Sequence, residues 1–485
     1  MSAPQNGEGS CSVQYNSRRT VDKLIERIKK DGSLNEITFG QKRDPCDGYF
    51  KKAMSVFYVA KSGVNWKRGV DPSSMNIGVT LTANMPGLSP QLHADRLRAS
   101  GHTNEVKTLH SKTDATVYQD IDPETLEPVG ISRQKQQHPD LKGPLSCAHA
   151  KCDPVTGDLF NYNLELGPSP LYRVFRVSAA TGETDILATV SAPAAYIHSI
   201  SITADHVILC IWNSHLSKNG LDVVLRQNML DAIAPFDESK PAKWYIIDRH
   251  HNKGLLAVYD SPAFFCFHTV NAWVETSSED PSKSDIVAEL ITYENTDVLK
   301  RLYYDNLLGL SPSHKKYYGN KGSSTRQDMQ RYRLSDVPLE PRSEVGAAKI
   351  EYTVPKDAAP ELPTINPRYL TRPHRYTYGG SDRSSYAVLY DALVKWDSET
   401  RSASYWSEHG HTPGEPVFVA DPDGTREDDG VLLSVVLDGF SERSYLLCLD
   451  ARDLKEMGRA EMDIPVGFGF HGCHVSAMGK SSSAD

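Results

Sequence analysis

Apolar and polar positions follow two different rhythms along this chain. Near the start they recur at helical spacing. Leu24, Ile25 and Ile28 share one face of the stretch Thr20 to Asp31, and Asp22 sits near its first turn, a pattern that predicts a helix. A second amphipathic piece is expected over Gly48 to Phe57, after Asp44-Pro45-Cys46. From there on the rhythm changes. Short β-branched or aromatic runs alternate with Gly, Asp and Pro turns roughly every 8–12 residues, as in an all-β sandwich, barrel or propeller.

Four turn units sit between these strand-like runs: Asp122-Pro123-Glu124-Thr125, Asp153-Pro154-Val155-Thr156-Gly157-Asp158, Ala180-Thr181-Gly182-Glu183 and Asp397-Ser398-Glu399-Thr400. An Asp side chain closes its own turn, and Gly takes positive φ. In a propeller such turns join neighbouring strands of one blade; ordinary hairpins of a sandwich would use the same units. A closed propeller has one further property, that side chains from different blades meet on its axis.

One stretch departs from the strand pattern. Between Leu216 and Asp237, Leu221, Val223, Val224, Leu225, Met229, Leu230 and Ile233 are interleaved with Lys218, Arg226 and Gln227. A core-facing helix explains this. So does a surface helix that dips into a membrane face through an apolar stripe with basic flanks.

The 485 residues allow two or three ordinary domains or one large repeat-built domain. A net charge of −9 argues against a nucleic-acid partner, which would need a basic face. No run approaches the ~18 apolar residues of a membrane span, and Met1 to Ser10 has no signal-peptide pattern. The eight Cys form no CxxC pair, so neither a zinc site nor a disulfide framework is suggested. A cytoplasmic, reduced chain is the expectation, with peripheral membrane contact through Leu221, Leu225 and Met229 as its variant.

Candidate chemistry comes from four histidines in apolar or small-residue segments. They are His149 in Ser146-Cys147-Ala148-His149, His198 in Tyr196-Ile197-His198-Ser199, His268 in Phe267-His268-Thr269-Val270-Asn271, and His471 in Phe470-His471-Gly472. Imidazole is the commonest protein ligand for transition metals, and its neutral form costs little to bury. A single such His is more often a hydrogen-bonded core residue. Asp114, Glu361 in Glu361-Leu362-Pro363 and Glu415 in Glu415-Pro416-Val417-Phe418-Val419 add carboxylates in or beside extended segments. Metal-bound imidazoles usually donate their second N–H to such a group.

Together these segments resemble the carotenoid cleavage oxygenases. Ala148-His149 with Asp153-Pro154-Val155-Thr156-Gly157, Tyr196-Ile197-His198-Ser199, Phe267 to Glu275 and Phe470-His471-Gly472 look like the family's four ligand segments. Glu415 to Val419, followed by Glu427-Asp428-Asp429-Gly430, is the most specific match, and the resemblance runs from about Ser12 to Ser476. Val13-Gln14-Tyr15-Asn16-Ser17-Arg18-Arg19 and Ile37-Thr38-Phe39-Gly40 look most like the fungal torulene-cleaving branch.

The resemblance implies a seven-bladed β-propeller under a dome of helices and loops. It implies Fe(2+) on the axis, held by His149, His198, His268 and His471 as metal and catalytic residues. Asp114, Glu361 and Glu415 would form the shell behind them. Asp114 stands where the family usually has Glu, so its contact with an imidazole is expected to be longer or bridged by water. The family's opening strand and its His-Trp-Phe-Asp-Gly segment have no counterpart here. The domain reading is therefore 12–476, incomplete at its N-terminus, between polar tails 1–11 and 477–485. The implied reaction is cleavage of a conjugated C=C bond in a carotenoid or apocarotenoid, torulene among the candidates, by dioxygen to give aldehydes. A stilbene-cleaving dioxygenase and a catalytically inactive propeller scaffold are the alternatives.

Overall fold

The computed structural model describes residues 13–32, 37–40, 70–88, 106–278, 280–318, 324–383 and 389–475. Strands dominate, in six successive antiparallel groups. The first is β1–β4 (Thr80–Ala83, Leu109–Lys112, Val117–Ile121, Pro128–Arg133) and the second β5–β8 (Lys151–Cys152, Leu159–Glu165, Leu171–Val177, Thr184–Ser191). The third is β9–β12 (Ser201–Ile202, His206–Ile211, Ala242–Asp248, Leu255–Ser261) and the fourth β13–β16 (Phe265–Thr276, Ser284–Tyr293, Asp328–Leu334, Val345–Val354). The fifth is β17–β20 (Glu361–Thr364, Tyr376–Ser381, Ala392–Asp397, Ser402–Trp406), and the sixth β21–β25 (His411–Pro413, Val417–Ala420, Gly430–Asp438, Arg443–Asp450, Glu456–Glu461). The third and fourth groups share one eight-stranded sheet, because β12 pairs in parallel with β16 from Val258↔Val345 to Asp260↔Ala347.

Hydroxyl groups stitch the leading segment of one group to that of the next. Thr80 Oγ1 donates to the Ala148 carbonyl at 2.9 Å, Ser199 Oγ to that of Phe267 at 2.6 Å, and Thr269 Oγ1 to that of Ile200 at 2.9 Å. The His149 N–H donates to the His198 carbonyl at 3.2 Å. The groups thus lie side by side in a propeller-like, all-β arrangement.

The four turn units do join neighbouring strands: β3 to β4, β5 to β6, β7 to β8 and β19 to β20. Asp122, Asp153 and Asp397 each accept two backbone N–H groups within the turn through Oδ1, which stands in for bonds the turning backbone cannot make itself. Strand β6 is buried on both faces, so period-two alternation disappears and Asn161 and Asn163 point inward. Their amides donate to the Cys147 carbonyl and to Gln134 Oε1, which offsets the cost of burying them.

The first helix spans Asp22–Asp31 and buries Leu24. It starts later than the apolar spacing predicts, and the Thr20 carbonyl instead accepts from Gln119 Nε2 at 3.1 Å. The amphipathic piece expected over Gly48 to Phe57 lies outside the described residues. The stretch from Leu216 to Asp237 is not one helix. It is broken into a 3₁₀ turn, Ser217–Gly220, and two short helices, Leu221–Arg226 and Met229–Ala232. Gln227 between the helices has φ 52°, a left-handed conformation that ends the first helix. The break splits the expected apolar stripe. Leu221 (55% exposed) and Leu225 (45%) face outward, whereas Met229 (9%) and Leu230 (2%) pack in the main core. Met229 therefore does not belong with the outward pair. No helix among the described residues is long and apolar enough to cross a membrane.

Candidate metal centre

His149, His198, His268 and His471 converge. One nitrogen from each lies within 4.8 Å of the others, and the Nε2 atoms of His149 and His471 are 3.1 Å apart. Local backbone explains how. His149 and His198 lie just ahead of β5 and β9, on extended segments bridged at His149↔Ser199. His268 sits inside β13 where the register with β14 slips between Cys266 and Thr269, and such a bulge re-aims a side chain. His471 lies past the last strand.

Carboxylates stand behind three of the four rings. His198 Nδ1 lies 2.9 and 2.8 Å from the two oxygens of Asp114. His268 Nδ1 is 2.9 Å from Glu361 Oε2, and His471 Nδ1 is 2.9 Å from Glu415 Oε1. Asp114 differs from the expected longer or water-bridged contact: it meets its imidazole as directly as the two Glu do. The reason is backbone position. The Asp114 carbonyl accepts the Ser146 N–H at 2.9 Å, and Ala115 bridges Leu145, so its loop is bonded to the segment that carries His149. The Ala148 N–H then reaches Asp114 Oδ1 at 3.0 Å. The shorter side chain starts from closer in.

The electrostatics of the His268–Glu361 pair favour a neutral ring and a charged carboxylate. Burial pushes the His268 pKa down, with His471 and His198 adding to it against the pull of Glu361. Neutral imidazole is the ligand form. Burial works to raise Glu361, but His268, the Tyr293 hydroxyl and the Leu362 N–H together hold its carboxyl below the usual range. Glu361 is buried and charged behind the ring of four imidazoles, which leaves negative charge away from water. A divalent cation would compensate it.

The residues present fit such an ion. His268 Nε2 is buried with no hydrogen-bond partner; with Nδ1 donating to Glu361, it is a bare acceptor nitrogen, short of a donor or a metal. Imidazole binds transition metals at about 2.0–2.1 Å, taking zinc as the guide, so opposite ligands would stand about 4.2 Å apart. The observed spread of up to 4.8 Å closes with shifts of a few tenths of an ångström. Nitrogen-only donors suit iron, copper, nickel or zinc rather than magnesium or calcium.

Two participants escaped the sequence reading. The Tyr196 hydroxyl donates to Asp114 Oδ2 at 2.8 Å, and the Tyr293 hydroxyl donates to Glu361 Oε1 at 2.7 Å. Tyr196 had a signal, since residues two apart in an extended segment share a face and His198 is two further on. Tyr293 is 68 residues from Glu361 in sequence and had none. The motif Glu427-Asp428-Asp429-Gly430 lies apart from the centre. Glu427 accepts the N–H groups of Arg375 and Tyr376, and Asp428 pairs with Lys395 at 2.9 Å. It fastens the fifth group to the sixth.

Known proteins resemble the chain along nearly its whole length. The family described as retinal pigment epithelial membrane protein matches residues 8–476. A carotenoid dioxygenase of Neurospora crassa is 41% identical, over 97% of this chain and 80% of its own length. A torulene dioxygenase of Fusarium fujikuroi is 40% identical, over 97% and 82%. Among solved structures, a mutant of the Synechocystis apocarotenoid oxygenase superposes with a TM-score of 0.64 at 18% identity, covering 96% of this chain and 83% of that one. A cobalt-substituted form of that oxygenase superposes with a TM-score of 0.63 at 19% identity, covering 96% and 82%. With a family match along nearly its whole length and fungal relatives this similar, the chain belongs to the carotenoid oxygenase family.

Proposed function

We propose that the chain is an iron(II)-dependent dioxygenase that cleaves a conjugated C=C bond of a carotenoid or apocarotenoid into two aldehydes. The observation that carries this is the four-imidazole cluster with its buried, unpartnered His268 Nε2. His149, His198, His268 and His471 would hold the ion. Asp114, Glu361 and Glu415 would fix ring orientation and raise imidazole basicity. Iron(II), when bound, would supply the redox chemistry by which dioxygen splits an electron-rich alkene. The carotenoid and torulene dioxygenases of Neurospora and Fusarium favour a long polyene. The domain reading is one oxygenase domain over 12–476, built as a seven-bladed propeller. The six strand groups among the described residues support the propeller arrangement.

One cavity lies near the outer carboxylate shell, although none of the four histidines lines it. A cavity of about 1110 Å³ is lined by Leu389, Tyr390, Tyr405, Val435, Leu437 and Phe468, together with charged residues such as Arg383 and Glu408. Tyr390 packs so closely on Gly380 that a Cβ there would lie 2.8 Å from its ring, and Gly380 pairs with Glu361. The cavity wall is therefore one residue away from the outer carboxylate shell. The deciding experiment is anaerobic iron loading, then exposure to air with a panel of carotenoids, apocarotenoids and stilbenes. Aldehydes from the polyenes are expected. Iron-loaded protein that cleaves none of them refutes the proposal.

A polyene partitions into bilayers, so contact with a membrane surface would aid its capture. The outward pair Leu221 and Leu225 would supply that contact. A Leu221→Glu, Leu225→Glu variant should lose vesicle flotation and keep the parent's melting temperature, since both side chains are about half exposed. Met229→Ala should instead destabilise the fold by about 2–5 kcal/mol, as core truncations do. Parent-like flotation of the double variant would rule the contact out.

A further inference from the structure

We infer that Tyr293 is a positioning residue of the metal centre, holding Glu361 so that His268 presents Nε2 inward. The inference rests on the metal reading above. Glu361 is 2% exposed, and its oxygens divide their work. Oε2 faces His268 Nδ1 at 2.9 Å and accepts the Leu362 N–H at 2.7 Å, whereas Oε1 accepts the Tyr293 hydroxyl at 2.7 Å. Without that hydroxyl the carboxylate could turn about its terminal bond, because the Oε1 side would have lost its donor.

The tyrosine itself is fixed. It closes β14 directly opposite Phe265 of β13, it is 4% exposed, and its ring lies 6.1 Å from both Phe265 and Phe267. Those two phenylalanines belong to the strand that carries His268. Glu361 starts β17, whose pairing with β18 slips after that residue, and Leu362 has φ 51°. An irregular strand start gives the carboxylate little backbone restraint, and the Tyr293 hydroxyl provides what is missing. Asp114 differs in that both of its oxygens lie within 2.9 Å of His198 Nδ1, so it depends less on Tyr196.

The test is anaerobic Co²⁺ titration of metal-free protein, read by visible absorption and by the metal-induced rise in melting temperature. Tyr293→Phe should bind Co²⁺ about tenfold more weakly, the lower end of what loss of an outer partner costs, with an altered d–d spectrum. Tyr196→Phe should lose less. In a Glu361→Ala background, Tyr293→Phe should change Co²⁺ affinity no further, because the hydroxyl then has no carboxylate to hold. A purely structural tyrosine would lower the melting temperature of metal-free and loaded protein equally and leave the spectrum alone. Parent-like affinity and spectrum in Tyr293→Phe, or additive losses in the double variant, overturn the inference alone. A parent that takes up no Co²⁺ overturns the metal reading and this inference with it.

Discussion

His268→Ala is expected to lose iron binding and C=C cleavage together. Replacing an outer partner costs roughly 10–100-fold in metal affinity or activity, and His268 is an inner group, the one whose Nε2 is buried without a partner. Its loss should exceed that range. The substitution also strands Glu361, a buried carboxylate that would keep only the Tyr293 hydroxyl and the Leu362 N–H. Leaving a buried acceptor short of a donor costs about 1–3 kcal/mol and more when it is charged, still less than the 5–15 kcal/mol that typically holds a domain together. The variant should therefore fold, which far-ultraviolet circular dichroism would verify. Iron content after anaerobic loading and aldehyde yield from a polyene are the measurements. Full cleavage by a folded His268→Ala protein would remove His268 from the site.

The parts of this centre that were readable in sequence were those with a local signature. Each histidine sits in a short motif of its own, and Glu415 is followed by Glu427-Asp428-Asp429-Gly430. Their convergence is not local. It follows from six strand groups set side by side and from bulges such as the one at His268, which no window of residues encodes. Side-chain length alone predicts a longer contact for Asp114, whereas the Ser146 and Ala148 N–H groups place its backbone close in. Apolar spacing alone puts Met229 on one stripe with Leu221 and Leu225, whereas positive φ at Gln227 turns the chain out of helical register. Tyr293 carries no local signature. Its partner lies on another strand group, and a tyrosine at a strand end is ordinary.

Glu361→Gln and Glu415→Gln should separate charge from geometry behind the rings. A Gln at 361 can keep its carbonyl toward His268 and the Leu362 N–H, with its NH₂ toward the Tyr293 hydroxyl, which can accept. Hydrogen bonding survives and only the negative charge goes. Metal affinity should fall about 10–100-fold, while the metal-free fold should melt no earlier than the parent because a buried charge has been removed. A Gln at 415 has no such arrangement. Oε2 accepts the Gly472 N–H at 2.6 Å, and Oε1 lies 2.9 Å from His471 Nδ1. If the NH₂ faces Gly472, two donors collide. If it faces His471, Nδ1 must accept, which moves that ring's proton to Nε2, the nitrogen beside His149. A protonated Nε2 cannot bind a metal. Glu415→Gln should accordingly lose more metal affinity than Glu361→Gln and also melt earlier without metal. Competitive Co²⁺ titration and thermal melts of the two metal-free variants measure both effects. Equal losses would mean that charge alone matters behind the rings, and parent-like affinity in both would remove the carboxylates from any part in holding the ion.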